Sequence, residues 1–175
     1  EPLSYIRIWF YERETRELVR INQVELIESF LDLQSDYAAA LALALTSEVT
    51  EAVLGEREAA DANFRLLLLA ARALKAGARM QLVLAYFALW TVRLGGWLPQ
   101  LDRCGHCGAE LKEAAYWSPA QGLACGRCNI PGQRAISQPA LQVARRIAAE
   151  KLEQLMAEWP HSNGPMESEV KDFML

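Results

Sequence analysis

Cys104-Gly105-His106-Cys107 and Cys125-Gly126-Arg127-Cys128 are two C-x-x-C pairs set seventeen residues apart, and they hold all four cysteines of the 175-residue chain. Two thiolates three positions apart can grip one ion from a single tight turn, and a second pair carried across a short hairpin completes a tetrahedron of sulfur. The spacing predicts one structural Zn2+ held by Cys104, Cys107, Cys125 and Cys128. Gly108 and Asn129, directly after the pairs, are residue types that tolerate the positive φ expected where a knuckle bends back. Iron fits the same sulfur cage. Disulfides need an oxidising compartment, no apolar signal segment is visible, and bridging within C-x-x-C is awkward outside redox sites. A thioredoxin-like centre needs one such pair at a strand-to-helix junction. His106 is expected to face solvent. Four thiolates leave no open coordination position, so the predicted role is to hold structure rather than to activate water.

Working outward, Gly95-Gly96-Trp97-Leu98-Pro99 reads as a linker into the metal segment, where Ala114 to Trp117 and Gly122 to Cys125 are expected to pair as a hairpin. Trp97 and Trp117 are expected to pack that hairpin onto helices. A single helix is predicted from the N-cap Ser137, with Pro139 in its first turn, to Trp159 through Leu141, Ala144, Ile147, Ala148, Leu152 and Leu155. Pro160 to Pro165 breaks it, and Met166 to Leu175 forms a tail. Upstream, Asp61 to Lys75 carries Phe64, Leu67, Leu68, Ala71 and Leu74 at helical spacing and stops at Gly77. Arg79 to Leu94 follows closely as an antiparallel neighbour, with Phe87 and Trp90 in the core. Val24 to Leu54 also reads as helical, with a break near Ser35 or Asp36 and a stop at Gly55.

Leu3 to Phe10 and Leu18 to Ile21 read as a hairpin across the polar turn Glu12 to Glu17. Two strands alone are marginal in water. They are expected either to cover the helices or to be the remnant of a larger sheet, and the start at Glu1-Pro2 favours a fragment. The predicted fold class is mainly α. A helical bundle takes residues 23–98 plus 137–175, a four-Cys zinc hairpin is inserted at 99–136, and a short N-terminal β-hairpin occupies 1–22.

At 52% hydrophobic, the chain can bury a sizeable core, and no apolar run approaches a membrane span. A cytoplasmic location is the expectation. The net charge of −4 hides an asymmetry: residues 1–58 carry twelve acidic and five basic side chains, whereas Arg103 to Lys151 carries seven basic and three acidic. Local basic excess points to polyanion contact, and Arg127, Arg134, Arg145, Arg146 and Lys151 are the candidate DNA-binding residues. The competing reading is an ordinary solvated face. Catalytic motifs are missing from the sequence: there is no Gly-rich phosphate loop, no H-E-x-x-H and no G-x-S-x-G. Only His106 and His161 could serve as imidazole bases. Glu25/Glu28 and Glu48/Glu51 have helical spacing but read as solvated faces.

The block Leu94-Gly-Gly-Trp-Leu-Pro-Gln-Leu-Asp102-Arg-Cys104, then Cys107-Gly108, Tyr116-Trp117-Ser118, Gly122 and Cys125-x-x-Cys128, resembles the C-terminal part of the bacterial RecO recombination mediators. The stretch Val24 to Leu94 resembles that family's helical domain, and Leu3 to Ile21 resembles the closing strands of its N-terminal OB-fold, most of which is absent. The resemblance implies a non-enzymatic mediator in RecFOR DNA repair. Its implied partners are RecR, the acidic C-terminal tail of the single-stranded-DNA-binding protein, single- and double-stranded DNA, and the RecA pathway, with strand annealing as an activity. A groove lined by apolar side chains and rimmed by Arg would suit that tail. The alternatives are a helical interaction scaffold with a structural zinc and no DNA role, or an enzyme whose active site lies outside this chain.

Overall fold

The computed structural model describes residues 3–13, 18–55 and 59–159. The expectations for Glu1-Pro2, for most of the turn Glu12 to Glu17, for His161, for the break at Pro160 to Pro165 and for the tail from Met166 lie outside the described residues. Among the described residues, five α-helices share one core, with two small antiparallel sheets.

The central element is α3 (Met80–Leu94), which packs against α1 (Tyr37–Val53), α2 (Asp61–Lys75), α4 (Gln138–Ala149) and α5 (Leu152–Glu158). Its sequence MQLVLAYFALWTVRL is apolar nearly all round, and Leu82 to Leu89 are all buried. A helix with no polar face belongs in the middle of a bundle. Both α2 and α3 end in the same way. Gly77 (φ 81°) and Gly96 (φ 75°) adopt the left-handed conformation, and the next residues donate back, Ala78 to Ala73 O and Trp97 to Val92 O. This Schellman geometry satisfies carbonyls that would otherwise be orphaned, and glycine adopts it without a Cβ penalty.

The core face of α2 is rotated from the expected stripe. Leu66, Ala70, Ala71, Ala73 and Leu74 are buried, whereas Phe64 is 46% exposed and its ring lies 5.3 Å from that of Tyr5. The region from Val24 differs more. Strand β1 (Tyr5–Tyr11) pairs with β2 (Arg20–Glu28), so Val24 to Glu28 is extended rather than helical and the ribbon passes the boundary placed at residue 22. The pairing explains this: Ile8 sits opposite Val24 and Ile6 opposite Leu26, so an apolar spacing read as helical is cross-strand alternation. After a short 3-10 turn, Leu31–Ser35, Asp36 caps α1 by accepting from the Ala38 and Ala39 N–H groups. The helix ends at an extended Leu54, before Gly55.

The ribbon is amphipathic in an unusual sense. Ile6, Ile8 and Phe10 on β1, with Ile21, Val24 and Leu26 on β2, form one wholly apolar face, each residue 39–59% exposed. An uncovered apolar face of that extent marks a packing surface. At its base the ribbon is tied to α2 by Arg72 to Glu28 at 2.8 Å and by Lys75 to the Ser29 carbonyl at 2.7 Å.

The expected single helix from Ser137 to Trp159 is two. Ser137 caps α4 through the Ala140 N–H, but Glu150 and Lys151 are extended and the chain restarts as α5. Leu141 and Leu152 are eleven residues apart, three helical turns, so the apolar period runs through the break and cannot reveal it. No described helix is long and apolar enough to cross a membrane.

Candidate metal centre

The metal segment is a three-stranded antiparallel sheet in the order β4 (Gly122–Ala124), β3 (Ala115–Ser118), β5 (Arg134–Ile136). The β3–β4 hairpin matches the expectation and turns at Gly122, whose φ is 67°. Strand β5 has no counterpart among the sequence expectations; three residues beside a Gly-Gln step are too few for an alternation signal. Cys104, Leu111, Ala115, Leu123, Ala124 and Ile136 are buried in the same contiguous core as the helices.

Two knuckles present the thiols. Cys104 N–H donates to Ala109 O, and Gly108, at φ 70°, donates to Cys104 O. The second knuckle closes through Cys128 N–H to Cys125 O at 2.9 Å, and Asn129 does it without positive φ, so that expectation is corrected. The four Sγ atoms lie within 4.8 Å of one another, and Cys107 Sγ to Cys125 Sγ is 3.8 Å. A tetrahedral site with metal–sulfur bonds of about 2.3 Å has an S···S edge of about 3.8 Å, so this donor set suits one four-coordinate ion. The cysteines form no disulfide. Cys104 is buried and Cys107 is exposed, and His106 faces solvent as expected.

The thiols are electrostatically unequal. Burial opposes ionisation of Cys104, but backbone N–H donors from Cys107, Cys125 and His106 outweigh it and bring the thiol down to about 6. N–H donors from Cys128 and Arg127 lower Cys125 as well. Cys128 is pushed up to about 12, chiefly by the neighbouring Cys107 and Cys125 side chains. Sulfur atoms this close cannot all carry charge unaided, and a divalent cation removes that conflict by releasing the remaining protons.

The candidate DNA residues divide. Arg127 and Arg134 are exposed on the metal segment, and Lys151 is exposed at the bend before α5. Arg145 and Arg146 are engaged by the protein itself. Arg145 donates to Leu101 O at 2.9 Å and Leu111 O at 2.8 Å and meets Asp102 at 3.0 Å, so it latches α4 to the loop that carries the first knuckle. Arg146 grips both oxygens of Glu150 at 2.7 and 2.8 Å, reaches Glu158 at 3.2 Å and lies 4.9 Å from the Trp159 ring centre. That guanidinium holds the Glu150 carboxyl below the ordinary carboxylate range. Trp117 packs against the core as expected, but Trp97 is 66% exposed, its ring laid against Gly95.

A groove of about 530 Å³ opens between α2 and α5, at a place the sequence does not mark. Leu68, Leu69, Ala73, Leu152 and Met156 line it, together with the charged Arg65, Arg72 and Glu153. The one pointer to it in the sequence is the run Leu66 to Leu69, more apolar than one core-facing stripe requires.

The family model described as "Recombination protein O C terminal" matches residues 34–163, which enclose the metal centre and the groove. A protein named "DNA repair protein RecO" from Koribacter versatilis (strain Ellin345) is 36% identical over 162 residues, covering 91% of this chain and 66% of the relative. Proteins of the same name from Anaeromyxobacter sp. (strain K) and Anaeromyxobacter dehalogenans are 28% identical over 134 residues, 75% of this chain and 52% of each relative. The chain thus spans between half and two thirds of the length of these relatives.

Proposed function

Because the chain belongs to the RecO family, we propose that it serves DNA repair as a non-enzymatic recombination mediator, acting in the cytoplasm within the RecFOR pathway. The observation that carries this reading is the family match over residues 34–163, with the four-thiol cluster inside it. In this reading Cys104, Cys107, Cys125 and Cys128 hold one structural zinc, which supplies folding energy to residues 99–136. The helices α1 to α5 form the second unit. The ribbon closes an OB-fold, and the apolar face from Ile6 to Leu26 packs against the rest of that sheet. The partners are RecR, the acidic tail of the single-stranded-DNA-binding protein, single- and double-stranded DNA, and through them RecA loading.

The test is annealing of complementary strands coated with their single-strand binder, run with the intact protein. Failure to accelerate annealing would overturn the mediator reading. Binding of proteins without any DNA affinity at low salt would leave the scaffold alternative.

Arg127, Arg134 and Lys151, exposed in the basic stretch, carry the proposed phosphate contacts. Replacing Arg127 and Arg134 with Ala is expected to reduce the slope of log affinity against log salt by roughly 0.7–0.9 for each phosphate no longer neutralised. Arg145→Ala should leave that slope unchanged. Fluorescence anisotropy with a labelled oligonucleotide across a salt series reads both.

The groove between α2 and α5 is the proposed seat of the acidic tail, with an apolar floor for its aromatic end and Arg65 for its carboxylates, Arg72 being paired with Glu28. Arg65→Glu, an exposed change that leaves the packing alone, is expected to weaken a labelled acidic peptide ending in Phe by about tenfold or more, since like charge at an interface costs several kcal/mol. Unchanged peptide affinity would remove the groove from this role.

A further inference from the structure

We propose that Arg146 is a positioning residue that sets the shape of the α2–α5 groove by locking the bend between α4 and α5. The inference rests on the groove being the peptide seat, but it concerns a residue that does not line that groove.

α5 has seven residues, too few to persist as a helix without tertiary support. Leu152 (1% exposed) and Leu155 (0%) drive it onto the body, and burying two leucines contributes far more than any single surface ion pair. Those two anchors are three residues apart, less than one helical turn; the other core anchor is Trp159 (6% exposed), just past the helix end, and the Arg146 guanidinium lies against its ring, so Arg146 bears on the α5 angle through that anchor as well. Arg146 supplies contacts at both ends. It holds Glu150 by two parallel N–H···O bonds just before the helix and Glu158 in its last residue, and its guanidinium lies against Trp159 immediately after. The Lys151 N–H, left without a helical acceptor by the break, donates to Gln154 Oε1 at 3.3 Å. Leu152 and Met156 form the α5 wall of the groove, so the angle at which α5 crosses α2 determines the width between that wall and Leu68 and Leu69.

Bidentate guanidinium–carboxylate geometry is directional as well as favourable, and lysine cannot reproduce it. The bend is therefore held in one arrangement although the periodicity of the sequence would permit a straight helix. A straightened chain would carry Leu152 and Met156 along the α4 axis and open the groove on one side.

The test separates positioning from direct attraction of an acidic ligand. The probe is a fluorescein-labelled acidic nonapeptide ending in a free-carboxylate Phe, added to the full chain. Glu150→Gln keeps the positive charge of Arg146 and removes a negative one, so direct attraction predicts equal or tighter binding. Positioning predicts that Glu150→Gln and Arg146→Ala both weaken the peptide by several-fold to about tenfold, the scale of one charge-assisted bidentate pair, and that Arg146→Lys recovers little of the loss. Circular dichroism should show a melting temperature close to that of the parent, because Leu152 and Leu155 still anchor α5. Tighter or unchanged binding by Glu150→Gln overturns the proposal. The Arg65→Glu variant separates this outcome from failure of the groove reading, since a groove that does not bind the peptide is insensitive to Arg65→Glu as well.

Discussion

Cys107→Ser is expected to empty the metal centre, lowering bound metal from one equivalent per chain to none by mass spectrometry. Cys107 is exposed, so the substitution removes a ligand without opening a cavity, and any fall in stability reports the metal alone. Three thiols and a hydroxyl no longer make the closed four-sulfur cage that holds the ion. Binding free energy at a structural zinc site is folding free energy. The segment does not melt in isolation, because Leu111, Ala115, Leu123 and Ile136 belong to the core that also holds α3 and α4. Losing a metal that ties such a segment down falls in the class of changes above about 4 kcal/mol, which corresponds to a fall of the order of 10 °C in Tm for a chain of this size. Amide exchange should rise first between residues 103 and 128 and leave α3 protected. A variant that keeps one metal and its melting temperature would refute the assignment of Cys107 as a ligand.

Arg145→Ala is expected to be the most destabilising of the arginine substitutions. The side chain satisfies the carbonyls of Leu101 and Leu111, both in buried residues, and pairs with Asp102. Its removal leaves two acceptors without their donor in a site that is only partly open to water, at about 1–3 kcal/mol for each. Partial hydration reduces the sum, so a total of roughly 2–4 kcal/mol is expected. Chemical denaturation should show the midpoint falling at unchanged slope. Arg146→Ala, whose partners are more exposed, should cost about 1 kcal/mol or less. A reversal of this order would mean that the α4 latch is not where the metal segment is held.

These two arginines show where sequence reading loses its grip. They are adjacent, lie in the basic stretch and are equal candidates for phosphate by sequence, yet one is consumed by two carbonyls more than thirty residues away and the other by Glu150 and Glu158. Net local charge counts side chains but says nothing of their acceptors. Strand β2 reads as helix for a related reason. Leu26, Phe30 and Leu33 keep a helical spacing, and the preference for extended backbone is decided by β1, whose Ile6 and Ile8 face Leu26 and Val24. The bend at Glu150 is equally silent, because the apolar period continues through it.

Signals that act over a few residues are legible. Two C-x-x-C pairs determine which atoms converge on a cation, since the bite of each pair depends on one turn of backbone. The limits of α2, Asp61 and Lys75, follow from periodicity and from a glycine able to reverse the chain at φ > 0. Tertiary structure decided instead which arginines are spent on the protein's own acceptors, where the groove opens and how α5 crosses α2. Each of these depends on partners brought together by burial from distant parts of the chain, and a hydrogen-bond acceptor exerts no influence on the local pattern of the residue that will find it.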